Sequence, residues 1–139
     1  MSETKIRIDD GPVAVTGASG YIGSRIVEDL VEQGYAVNAC VRDASNAIKT
    51  DHLFEMNKKG LGGSVELHEG DLFKKGSYNK AFSGCSAVIH AGATVGFNRE
   101  TPQEVYDGCF TENEHVLSSI KQSNSVKRFV FTSSFAAIG

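Results

Sequence analysis

The sequence predicts an α/β fold, a doubly wound parallel sheet with strand order 3-2-1-4-5. Two observations predict it. Short, continuously apolar runs alternate along the chain with longer segments whose apolar residues recur at helical spacing. Three closely spaced glycines join the first such run to the first helical segment. Five strands with intervening helices imply right-handed crossovers, which make the strands parallel and cover the sheet on both faces.

Pro12 to Thr16 is the first strand, a short run ending in glycine. From Tyr21 to Gln33, Ile22, Ile26, Val27, Leu30 and Val31 fall on one helical face, and Gly34 can end the helix. Ala36 to Val41 reads as strand two, followed after a polar stretch by a helix around Lys49 to Lys58 closed by Gly60. Val65 to His68 is strand three, running into Gly70-Asp71-Leu72. A short helix over Ser77 to Phe82, with Ser77 as its cap, leads to strand four at Ala87 to His90. Pro102 suits the first turn of a long helix reaching about Ser123, and Arg128 to Thr132 is strand five. The apolar ending Ala136-Ala137-Ile138-Gly139 reads as a fold cut short after that strand, with the edge around Phe129, Val130 and Phe131 left bare.

Composition narrows the class. The chain has 139 residues, 14 Lys+Arg against 17 Asp+Glu, a net charge of −3 and 40% apolar residues. That suits one domain over residues 1–139 with a core of its own. No basic block exceeds two residues, which argues against a nucleic-acid partner. No apolar run approaches the roughly 18 residues of a membrane span, and Met1-Ser2-Glu3-Thr4-Lys5 lacks a secretory pattern. Cys40, Cys85 and Cys109 form no C-x-x-C pair and are expected as free thiols in a reducing, cytoplasmic setting. His52, His68, His90 and His115 share no ligand spacing, so no metal is expected.

Chemistry concentrates at Thr16-Gly17-Ala18-Ser19-Gly20-Tyr21-Ile22-Gly23. Glycines 17, 20 and 23 suit a tight turn, close backbone approach to a pyrophosphate, and close helix-to-strand packing. The helix beyond them offers unpaired N–H groups and a positive dipole end to phosphate. In strand-turn-helix context this is a Rossmann-type dinucleotide site, with Gly17, Ser19, Gly20, Tyr21, Ile22 and Gly23 as candidate contacts. Tyr21 has the blander alternative of covering the helix start. Nucleotide choice rests on the end of strand two. Where a carboxylate would accept the ribose hydroxyls of NAD, the chain has Val41 and then Arg42, nineteen positions past Gly23. A guanidinium there can clamp a 2′-phosphate, so NADP(H) is the expected cofactor. Asp43 falls one residue late for a ribose acceptor.

These motifs, with Asn46, Lys49, His52-Leu53, Gly70-Asp71-Leu72, Val88-Ile89-His90-Ala91, Asn113 and Phe131-Thr132-Ser133-Ser134, resemble the extended short-chain dehydrogenase/reductases. Within that superfamily of NAD-dependent epimerase/dehydratase-type domains, the chain is most similar to the dihydroflavonol reductase and cinnamoyl-CoA reductase group. The resemblance implies that Arg42 and Lys49 meet the 2′-phosphate, that Asp71 and Leu72 lie beside the adenine, and that His90, Ala91 and Gly92 follow the cofactor. It implies Ser134, in preference to Ser133, as the catalytic hydroxyl of a Ser-Tyr-Lys set. The Tyr-x-x-x-Lys that completes the set has no counterpart here: Arg25, Ala39, Phe82 and Phe110 stand four positions after the four tyrosines.

The expected function is the cofactor-binding portion of an NADP(H)-dependent reductase acting on the carbonyl of a small organic substrate, with little turnover by these residues alone. A nucleotide-sugar epimerase or dehydratase, and a non-catalytic NADP(H)-binding sensor or scaffold, are the alternatives. Relatives that dimerise through a helix pair make a homodimer an expectation as well, with the Pro102–Ser123 helix as one member.

Overall fold

All four residues of β1 (Val13–Thr16) are buried, because neighbours cover both faces and both edges of this strand. In the computed structural model, which describes residues 5–94 and 101–138, β1 is followed by α1 (Tyr21–Glu32), β2 (Ala36–Val41), α2 (Ala47–Lys58) and β3 (Ser64–Glu69). Then come α3 (Asn79–Phe82), β4 (Ala87–His90), α4 (Pro102–Ser123) and β5 (Arg128–Phe131). The described residues form one sheet, β3-β2-β1-β4-β5, parallel throughout, in the order the sequence predicts.

Alternation along the strands divides the core in two. Val15, Val37 and Ala39 face α1 and α2, where Val27, Val31, Leu53 and Met56 pack on them. Ala14, Cys40 and Val88 face α3 and α4, meeting Phe82, Tyr78 and Val116. Phe82 is fully buried, and an aromatic in that state contributes about 2–3 kcal/mol of burial energy. Asn38 is the polar exception on β2. Its amide donates to the Ala81 carbonyl at 2.9 Å, tying α3 to the sheet.

The helices differ from expectation at their ends. Ile22 is 62% exposed, so the buried stripe of α1 runs through Gly23, Val27 and Val31 instead. Close packing of the glycine on the preceding turn leaves no room for an isoleucine there. α2 starts two residues earlier than periodicity indicates, because the Asn46 side chain accepts from the Lys49 N–H at 3.3 Å and caps it. Ser77 caps nothing. Its hydroxyl donates to the Asp71 carbonyl at 2.7 Å and accepts from the Asp71 N–H at 3.0 Å, closing the loop after β3, and α3 is one turn long. α4 has the bounds expected, set by a Thr101–Glu104 capping box with Pro102 at the first helical position. β5 is one edge of the sheet as described, and its Val130 and Phe131 are exposed.

Candidate nucleotide site

Parallel strands bring all their C-terminal ends to one side of the sheet, and β1 lies between β2 and β4, where the strand order reverses. A crevice is expected at that reversal. A cleft of about 430 Å³ occupies it, walled by Gly17 and Ser19, by the Cys40–Asp43 tip of β2, by Gly70 and Leu72, and by Gly92 and Ala93.

Backbone crowding shapes its floor. Gly17 has φ +65°, and a Cβ on it would lie 2.8 Å from the Gly92 nitrogen and Cα. A Cβ on Gly23 would overlap the Gly17 carbonyl oxygen and lie 2.7 Å from its carbon. The two glycines thereby let the start of α1, the end of β1 and the end of β4 converge. Gly20 precedes the helix as its N-cap, with no side chain to cap it. The Tyr21, Ile22 and Gly23 amides form the first turn, where N–H groups lack intrahelical acceptors. The side chains of Tyr21 and Ile22 are 90% and 62% exposed, and of the turn residues the sequence singles out only Gly17 and Ser19 line the cleft itself.

Two cations stand at the β2 side of the cleft. Arg42 and Lys49 both line it, and neither forms an ion pair among the described residues. Asp43 also borders it, but its carboxylate accepts from the Ser45 N–H at 2.9 Å and the Ser45 hydroxyl at 2.5 Å. Those bonds, the hydroxyl's first, lower its pKa and turn it to the loop rather than to a ribose. On the opposite wall, Leu72 faces the cleft, while Asp71 caps its own turn by accepting from the Phe73 N–H at 3.0 Å. Two further residues line the cleft: Asn46, which belongs to the family resemblance but takes no role from it, and Tyr78, which no motif marks. The Tyr78 ring packs on Gly70, where a Cβ would fall 2.6 Å from its Cδ1, and stacks on Phe82 with centroids 5.2 Å apart.

The strand ends beneath are tied by a buried relay. Thr16 Oγ1 accepts from the Ala91 and Gly92 N–H groups at 3.2 and 3.1 Å, so its single proton goes to His90 Nδ1, 2.6 Å away. His90 is therefore the Nε2–H tautomer and donates to Asn113 Oδ1 on α4 at 3.2 Å. Burial lowers the His90 pKa, against partial opposition from Asn113 and Glu112. An unfolded histidine titrates near about 6.5, so just below that pH the unfolded chain takes up a proton that the folded chain refuses. Stability is therefore complete above that value and falls as pH drops toward the folded pKa. The urea midpoint is expected to decrease from pH 7 to 5.5, and His90→Gln to flatten the decrease; a wild-type midpoint constant over that range contradicts the assignment.

Ser134 lies beyond β5, two residues after Thr132, whose hydroxyl donates to the His90 carbonyl at 2.7 Å. Its Oγ is exposed and accepts from the Ala136 N–H at 3.2 Å, capping the short turn Phe135–Ala137. It is on the same side of the sheet as the cleft but does not line it. The cysteines are free; burial pushes the Cys85 thiol up to about 11 and Cys40 higher still, which leaves both unreactive. Among the described residues no group of His, Cys, Asp and Glu is placed to hold a metal ion, and no helix is long and apolar enough to cross a membrane.

A family model described as the NAD dependent epimerase/dehydratase family matches residues 13–139. Dihydroflavonol 4-reductase of Hordeum vulgare is 38% identical over 129 residues, covering 92% of this chain and 36% of that protein. Cinnamoyl-CoA reductase CAD2 of Medicago truncatula is 38% identical over 127 residues, covering 91% and 38%. Among solved structures, Gre2 of Candida albicans in complex with NADPH superposes with a TM-score of 0.74 at 28% identity, over 91% of this chain and 38% of that one. The chain thus spans a little over a third of the length of these relatives.

Proposed function

The chain belongs to the NAD dependent epimerase/dehydratase family, and from that premise we propose that residues 1–139 are the NADP(H)-binding domain of a cytoplasmic reductase acting on a small carbonyl compound. The observation that carries this reading is the pair of cations, Arg42 and Lys49, which form no ion pair among the described residues and border a cleft that Gly17 and Ser19 of the glycine turn also line. A dinucleotide fits that arrangement at both ends. Its diphosphate would rest against the first-turn amides of α1, and its 2′-phosphate would meet the guanidinium of Arg42 with Lys49 beside it. Leu72 would flank the adenine, and Ala91 and Gly92 would carry the backbone along the nicotinamide half. Bound NADPH would supply the hydride. The part of this chain is to bind and orient it, with Ser134 hydrogen-bonding the substrate oxygen.

The relatives support the reductase reading, since they include a dihydroflavonol 4-reductase, a cinnamoyl-CoA reductase and an NADPH complex of Gre2. A nucleotide-sugar epimerase that holds NAD through an acid at the β2 tip has less support, because the nearest carboxylate, Asp43, is engaged by Ser45. Free, deeply buried Cys40 and Cys85 suit a reducing compartment. Calorimetric titration tests the proposal. NADPH is expected to bind at least tenfold more tightly than NADH; equal affinity, or no binding of either, overturns it.

A further inference from the structure

Three contacts radiate from adjacent turns of α4 to the segments around the cleft. Glu112 Oε2 accepts from the Thr94 N–H at 3.3 Å, Asn113 receives the His90 imidazole, and His115 Nδ1 lies 2.7 Å from the Leu72 carbonyl. The last of these has a definite chemical sense. A carbonyl oxygen can only accept, so His115 Nδ1 carries the proton, the tautomer opposite to that of His90. Leu72 is itself a wall of the cleft. Ser77 also anchors this loop by holding Asp71, six residues earlier. The loop is thus held by Ser77 at Asp71 and by α4 at Leu72.

We propose that His115 is a positioning residue of the nucleotide cleft: its Nδ1–H, offered from α4 to the Leu72 carbonyl, holds the wall against which the adenine half rests. The inference rests on the dinucleotide reading above for its consequence, but the tether itself can be observed without nucleotide. Because the wall contacts the part common to both dinucleotides, loosening it weakens NADPH and NADH alike. Arg42, by contrast, distinguishes between them.

The first test uses the wild-type chain alone. Long-range ¹⁵N–¹H correlation spectra of the histidine rings are expected to show His115 protonated at Nδ1; a bare Nδ1 overturns the tether whatever the nucleotide does. The second compares His115→Asn, whose amide NH₂ can stand where Nδ1–H stood, with His115→Leu, which offers no donor. Amide exchange at Leu72 and Phe73 is expected to accelerate in His115→Leu and to stay near wild type in His115→Asn. Dissociation constants for NADPH and NADH are expected to rise together by roughly tenfold in His115→Leu, the scale of one lost hydrogen bond, with recovery to within about twofold in His115→Asn. Equal affinities in His115→Leu and wild type overturn the proposal, as does an Asn variant as impaired as Leu. If the tautomer and exchange results hold but the wild type binds neither dinucleotide, the nucleotide role is overturned along with the reading it rests on, and the tether alone stands.

Discussion

Replacing Gly23 with alanine is expected to destabilise the chain by about 2 kcal/mol and to weaken dinucleotide binding more than tenfold. The sign is what makes this informative. Within a helix, alanine is ordinarily better than glycine by up to about 1 kcal/mol, because glycine loses more backbone entropy on folding. At Gly23 the added methyl would overlap the Gly17 carbonyl oxygen and press on the Ala18 Cα at 3.1 Å. Both are backbone, so α1 must shift off the end of β1, and overpacking of that kind costs roughly 1–3 kcal/mol. The same shift would move the first-turn amides away from the diphosphate position proposed above. Gly108 on α4 is the matched control. A Cβ there meets nothing within 4 Å, so Gly108→Ala is expected to stabilise by a few tenths to about 1 kcal/mol. Urea midpoints of the two variants are expected to move in opposite directions; a stabilised Gly23→Ala would remove the packing argument for the turn.

The second large effect falls on nucleotide choice. Charged hydrogen bonds of the kind a guanidinium makes to a phosphate are worth about 1.5–3 kcal/mol, or roughly 10- to 150-fold in affinity. Arg42→Ala is expected to lose NADPH affinity on that scale while leaving NADH nearly untouched. Arg42→Lys should fall between, since an ammonium keeps the charge but not the two-pronged geometry. Added salt should narrow the gap between the two dinucleotides in wild type, because the guanidinium is exposed. A parallel loss of NADH and NADPH in Arg42→Ala would mean that the residue supports the loop and does not read the phosphate.

What was legible in the sequence and what was not divides along a physical line. The strands and the glycine turn follow from local pattern: period, apolar run length, and glycines where backbone must approach backbone. The sheet order follows from the dinucleotide-binding fold that turn implies. Arg42 follows from chain position, since a residue just past β2 arrives at the crevice wherever its side chain later points. The relay of Thr16, His90 and Asn113 and the His115–Leu72 bond join residues far apart in the chain, and no periodicity encodes them. Ser77 shows the ambiguity directly. A serine before a short helix can cap it or reach back to an earlier carbonyl, and only packing of Asp71 decides for the second. Ile22 misled for a different reason: helical spacing assigns it to the buried face, but proximity to Gly17 hands that position to Gly23. Asn46, three residues before Lys49, carries a cap signal that places the start of α2 at Ala47.

In the proposed complex the first-turn amides of α1 and the Arg42 guanidinium hold one dinucleotide between them. A crystal structure of the chain grown with NADPH tests it most directly. The diphosphate is expected against the amides of residues 21–23, with the 2′-phosphate within hydrogen-bonding distance of Arg42. Nucleotide bound elsewhere, or seated in the cleft with Arg42 turned away from the 2′-phosphate, would contradict it.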